Sequence, residues 1–157
     1  MKTLYLMRHA KAYQERDKYK DFDRPLTSQG IEDTKRIAAQ LKTQNVEIKN
    51  IVCSPSVRTK ETASALASEL GIAKNTILMD DSLYDSVDIE DCVFSLPDEW
   101  DHALLIGHNP SITQFASQLT TIYESIPTAG VIGVVINIDK WSDLFSVTAT
   151  PKLNLIP

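Results

Sequence analysis

Three short apolar runs in this chain end in chemically related groups, and the repetition narrows the folds open to it. Leu4 to Met7 leads into Arg8-His9, Ile48 to Cys53 into Ser54-Pro55-Ser56-Val57-Arg58, and His102 to Gly107 into His108-Asn109-Pro110. Short apolar runs without alternation read as strands covered on both faces, as in a parallel sheet. Ser54-Pro55 is a helix cap followed by proline at the first helical position, and Asn109-Pro110 repeats that signature. Each of these two strands therefore feeds a helix, which is the grammar of an α/β protein.

The remaining segments fit that grammar. Lys11 to Arg24 is charge-dense, has no sustained apolar period, and reads as a long loop of the kind that often serves function. Thr27 or Ser28 caps a helix with Ile31, Thr34, Ile37, Ala38 and Leu41 on one face. The helix after Pro55 turns Thr59, Thr62, Ala63, Leu66 and Leu70 inward and stops at Gly71. Thr76 to Met79 adds a short strand, and Ile89, Cys92, Val93 and Leu96 mark a short helix before Pro97. Ile112, Phe115, Ala116, Leu119 and Ile122 mark another. Val131 to Ile138 and Leu144 to Thr150 are β-rich runs joined by Asp139 to Asp143, a link too short for a helical crossover. The expected architecture is an α/β three-layer sandwich: a mostly parallel central sheet, helices on both faces, and a C-terminal antiparallel hairpin. Residues 1–157 read as a single domain.

Composition excludes several partners. A net charge of -5 argues against nucleic acid or an anionic membrane held by bulk attraction, so a bound anion must meet a local cluster of cations. No apolar run approaches the ~20 residues of a membrane span, and the amino terminus lacks signal-peptide architecture, which points to the cytoplasm. Cys53 and Cys92 form neither a metal motif nor a disulfide framework, and Cys53 reads as an inert buried thiol. His9, His102 and His108 lack local ligand spacing, and arginines beside them repel a cation, so neither metal nor other cofactor is expected. His102 opens its strand and reads as structural.

If the three strands are neighbours, Arg8, His9, Arg58 and His108 meet at one sheet edge beside helix N-termini, where α/β folds bind ligands. Helix N-termini favour anions, and guanidiniums offer planar donor pairs to a tetrahedral oxyanion. A neutral imidazole can attack phosphorus, and neighbouring arginines favour the neutral form. A second histidine can donate to the oxygens of the transferring group.

Leu6 to Ala12, Asp23 to Gly30, Ser54 to Ala63 and Leu105 to Pro110 together resemble the histidine phosphatase superfamily, the phosphoglycerate mutase-like group. Arg8-His9-Ala10-Lys11-Ala12 and Gly107-His108-Asn109-Pro110 are most similar to its SixA-type phosphohistidine phosphatase branch. The resemblance implies His9 as a transiently phosphorylated nucleophile, with Arg8, Arg58 and His108 as the phosphate pocket and Arg24 near the substrate. The general acid departs from the family pattern. Larger members supply a glutamate after the third strand, whereas this chain offers Asp85 there and Asp21 in the first long loop. A phosphorylated imidazole leaves more readily than an alkoxide, so a weakly specified acid suits protein phosphohistidine as substrate. Two other readings stay open: a small-molecule phosphomonoesterase, and a catalytically silent phosphate-binding domain. Oligomeric state is not readable from the chain.

Overall fold

The structure is a computed structural model that describes residues 1–14, 18–85, 88–121 and 124–157, with the side chain of Asp85 outside the described set. Its centre is a sheet of β1 (Lys2–Arg8), β2 (Ile51–Cys53), β3 (Leu78–Met79), β4 (His102–Gly107), β5 (Val131–Ile136) and β6 (Thr150–Leu155). The strand order is β3-β2-β4-β1-β5-β6. β1 to β4 run parallel, while β5 lies antiparallel to β1, and β6 antiparallel to β5.

Alternation along the strands divides the core between two faces. Leu4, Leu6, Ala103 and Leu105 pack on one side with α4 (Ile89–Phe94), α5 (Ser111–Leu119) and Trp141. Tyr5, Met7, Leu104 and Ile106 pack on the other with α1 (Ser28–Thr43) and α2 (Val57–Leu70). The short helix α3 (Ser82–Asp85) follows β3. The sandwich with helices on both faces and the C-terminal antiparallel pair is the architecture expected.

Several details differ from the sequence reading, each for a physical reason. The second hairpin strand is Thr150–Leu155, not Leu144 to Thr150. The intervening stretch holds a 3-10 turn, Trp141–Asp143, whose Trp141 is fully buried as a plug against the first core face. In the expected run Leu144 and Ala149 are buried against the same core while Phe145 and Val147 are exposed, and no ladder forms. Ile31 is 40% exposed, and Gly30 and Asp33 take the inner side of α1. Thr27 is the cap, accepting from the Gly30 N–H through its side chain. Ser54 does not cap α2; Ser56 holds that position without a side-chain cap bond, because both hydroxyls are engaged inside the protein. The helix ends as expected at Gly71, whose φ of 72° is left-handed. Strand β2 is shorter than Ile48 to Cys53, and a 3-10 turn at Lys74–Thr76 takes the start of the expected third strand. Pro110, not Asn109, occupies the cap position of α5. Ile122 lies outside the described residues.

What matters for function is the level at which the strands end. Arg8 is registered with Gly107, and Cys53 with Ile106. The segments that follow β1, β2 and β4 therefore leave the sheet side by side.

Candidate active site

His9 follows β1 directly, and its ring is fixed by its own neighbourhood. Its backbone N–H donates to the Gly107 carbonyl at 3.0 Å, and its carbonyl accepts from Ala129 at 3.1 Å. Nδ1 lies 2.7 Å from the Ala10 carbonyl oxygen, which can only accept, so Nδ1 carries the proton. In the neutral ring Nε2 is then left with its lone pair free. Ala10 is anchored by Thr62, whose hydroxyl accepts from the Ala10 N–H at 3.0 Å and donates to the Arg58 carbonyl at 2.7 Å.

Burial pulls the His9 pKa down to about 4, opposed by the Ala10 bond and reinforced by Arg58, Arg8 and Arg24. His108 comes off β4 with its ring centroid 5.1 Å from that of His9. It is lowered to about 3, first by burial and then by Arg58 and the neighbouring His9. Both rings are therefore neutral at pH 7.

Arg8 reaches the Ile126 carbonyl through Nη1 at 3.3 Å. Arg58, in the first turn of α2 and 4% exposed, donates to the Asp21 carbonyl at 2.6 Å and to Oδ2 of the same residue at 3.2 Å. Four buried side-chain nitrogens lack a hydrogen-bond partner among the described residues: Nε of Arg8, Nε of Arg58, Nδ1 of His108 and Nε1 of Trp141. Three of the four belong to this cluster. Buried donors are ordinarily paired, so the concentration of unpaired ones here marks a place built for an acceptor.

Arg24 and Asp21 arrive on a strap. Residues 12 and 26 form a bridge, Tyr13 donates to the Pro25 carbonyl, and Thr27 donates to the Lys11 carbonyl. These bonds fold the segment back so that the 3-10 turn Asp21–Asp23 lies against Arg58. Gly30 allows the approach: a Cβ there would stand 2.2 Å from the Lys11 carbonyl oxygen. Asp21 accepts from Arg24 Nη2 at 2.9 Å and from the Tyr84 hydroxyl at 2.9 Å. Burial alone would raise its carboxyl, but Tyr84, Arg24 and Arg58 outweigh that and hold it at about 2. Asp21 is thus ionised at neutral pH and has no proton to give in this arrangement. The Asp85 side chain lies outside the described residues.

Tyr84 is a site residue that residue patterning did not single out. Its ring stands between Phe22 and His108, at 5.1 and 5.5 Å, and lines a cavity of about 450 Å³ with Arg8, His9, Arg24, Arg58 and His108. The only signal for it was an apolar residue within an acidic stretch. Ser54, Ser56 and Thr59 behind His108 were equally silent, because hydroxyls near a proline read first as caps. His102 sits at the opposite end of β4, 3.9 Å from Glu47.

The arrangement is a cationic pocket for a tetrahedral oxyanion with a neutral imidazole inside it. Among the described residues no group of three or more His, Cys, Asp or Glu could hold a metal ion. Cys53 and Cys92 are buried and free, and burial raises both thiols, Cys53 to about 11. No helix among the described residues is long and apolar enough to cross a membrane.

Fold and site together define a phosphate-handling α/β protein of the histidine phosphatase kind. Residues 4–84 match the model of the histidine phosphatase superfamily (branch 1), and the chain belongs to that family. It is 30% identical over 141 residues to an uncharacterized protein of Picosynechococcus sp. (strain ATCC 27264 / PCC 7002 / PR-6), with 83% of each chain covered. Among solved structures it is similar to the protein histidine phosphatase SixA complexed with tungstate, at TM-score 0.83 and 22% identity over 98% of this chain and 96% of that one. It is also similar to mycobacterial glucosyl-3-phosphoglycerate phosphatase complexed with VO3, at TM-score 0.66 and 13% identity over 97% of each chain. The chemistry of the family is that of a phosphatase working through a histidine on a phosphorylated substrate.

Proposed function

We propose that this protein hydrolyses phosphohistidine on another protein, with His9 as the nucleophile. The observation that carries the reading is the Nδ1 bond to Ala10, which leaves Nε2 of a neutral imidazole as the free nitrogen. Nε2 attacks phosphorus, the bond from phosphorus to the substrate imidazole breaks, and that imidazole takes up a proton from solvent as it leaves. Water then attacks the phosphorylated His9, releasing phosphate and restoring the neutral ring. Arg8, Arg58 and His108 hold the phosphoryl oxygens while charge spreads over them, and Arg24 contributes from the strap.

The state of Asp21 supports the substrate class. An alkyl phosphate needs an acid ready to protonate a poor leaving group, whereas Asp21 is ionised on its arginine partners. It can act as the acid only after an arriving phosphoryl anion takes over the Arg58 and Arg24 donors. An imidazole leaving group tolerates that weak provision. The greater likeness in shape to SixA than to the glucosyl-3-phosphoglycerate phosphatase points the same way.

The test has two arms. Mixing with a phosphohistidine protein and quenching in alkali should trap acid-labile phosphate on His9, and His9→Ala should abolish it. Turnover should favour the phosphohistidine protein over sugar phosphates. Faster turnover of the sugar phosphates would make the protein a small-molecule phosphomonoesterase, and phosphate binding with no label on His9 would make it a silent binding domain.

A further inference from the structure

Behind the His108 ring lie three hydroxyls with one proton each, and the acceptors around them place two of those protons. Thr59 Oγ1 is 2.6 Å from the Ser54 carbonyl oxygen, which cannot donate, so the Thr59 proton lies on that line. Ser56 Oγ is 2.7 Å from Thr59 Oγ1, and the proton between them must then be the one on Ser56. Ser54 Oγ lies 2.9 Å from His108 Nε2 and 3.5 Å from Ser56 Oγ, and its one proton goes to one of them. The 2.9 Å bond forms whichever of its atoms donates, and the Ser56 N–H at 3.4 Å supplies a donor to the Ser54 oxygen in either case. Ser54 is the donor to Nε2 if Nδ1, which stands unpartnered with Nε of Arg8 and of Arg58, is the third donor of that cluster. A neutral ring that accepts at Nε2 carries its proton at Nδ1. That atom is the buried His108 nitrogen without a partner.

We propose that Ser54, backed by Ser56 and Thr59, is a positioning residue that holds neutral His108 in the Nδ1–H tautomer, so that this N–H donates to a phosphoryl oxygen. The opposite tautomer would turn a lone pair towards the same oxygen and repel it. Ser56 Oγ is 3.4 Å from Nε2 and has its proton on Thr59, so its contact with the ring is the weaker one. The catalytic half of the proposal rests on the phosphatase reading above, while the tautomer is argued from the Ser54 contact and the unpartnered Nδ1.

Two-bond proton–nitrogen correlation spectra of 15N-histidine-labelled protein at pH 7 distinguish the tautomers. In the wild type His108 should be protonated at Nδ1 and bare at Nε2. In Ser54→Ala the population should move to Nε2–H, the form that neutral imidazole favours in water. With a phosphohistidine substrate the same variant should lose about 10- to 100-fold in kcat, as expected for a misoriented oxyanion donor, while KM moves less than about threefold. Nε2–H in the wild type overturns the proposal. So does a Ser54→Ala protein that keeps its tautomer, because any loss of activity then comes from packing, or one that keeps its kcat. The wild-type spectrum requires neither a folded variant nor turnover, and the His9 labelling tests the phosphatase reading separately.

Discussion

Arg58 holds Asp21 at two points, donating through Nη1 to its backbone carbonyl at 2.6 Å and through Nη2 to its carboxylate at 3.2 Å. Arg24 takes the other carboxylate oxygen at 2.9 Å. A carboxylate thus rests on the two guanidiniums that a phosphoryl group would use, and an arriving oxyanion must share them or displace it.

Asp21→Asn removes that competing charge and leaves both arginines. Tungstate or inorganic phosphate should bind about 2- to 5-fold more tightly, measured by titration calorimetry at low salt, since partly exposed charge pairs contribute about 1 kcal/mol or less. Weaker binding would mean that Asp21 serves chiefly to orient the arginines. With a phosphohistidine substrate the same variant should turn over more slowly, because asparagine cannot take up and pass on a proton once the phosphoryl group has taken over the arginines.

The neutral His9 ring sets a pH window. Its pKa of about 4 places the acid limb of kcat/KM well below the ordinary histidine value, since only protonation of Nε2 removes the nucleophile. A limb near 6.5 would show that the ring is not desolvated as described. Stability follows the same group. Between pH 6.5 and 4 the unfolded chain binds the His9 proton and the folded one does not. His9 should therefore cost about 3 kcal/mol of stability over that range, and His108, lowered to about 3, a similar amount. Denaturant midpoints against pH should show this, with a smaller loss in His9→Asn.

Gly30→Ala tests the strap. Alanine ordinarily favours a helix over glycine by about 1 kcal/mol, but a Cβ 2.2 Å from the Lys11 carbonyl must push backbone aside. Overpacking should win, with a net loss of about 1–3 kcal/mol in urea denaturation and lower activity as Arg24 and Asp21 shift. An unchanged midpoint would show that the strap yields freely.

Thr62→Val keeps the shape of a buried side chain and removes its hydroxyl. The Ala10 N–H then loses its acceptor, at a cost of about 1–3 kcal/mol. Because the Ala10 carbonyl orients His9, kcat should fall along with the denaturation midpoint, and Thr62→Ser should recover most of both.

The chain and the fold divided the decisions between them. The strand-helix alternation, the C-terminal antiparallel pair, the Gly71 stop and the placing of Arg8, His9, Arg58 and His108 at strand ends were all legible, because they depend on local periodicity, caps and the chirality of βαβ units. The later hairpin strand was misplaced because Leu144 and Ala149 are apolar in order to fill a core, and a short apolar run does not say which structure buries it. Tyr84, Ser54 and Thr62 were invisible as site residues, since a hydroxyl means nothing until its partner is known. Asp21 was named from sequence as an acid, but its ionisation depends on Arg24, Arg58 and Tyr84, the last two far away along the chain. Sequence by itself settled which reactive groups this protein owns and that they stand at the ends of strands, because backbone propensity and apolar spacing act over a few residues. Only the tertiary structure decided that both imidazoles are neutral and that the Asp21 carboxylate holds no proton, because those are settled by burial and by charged and hydrogen-bonding groups brought together from distant parts of the chain.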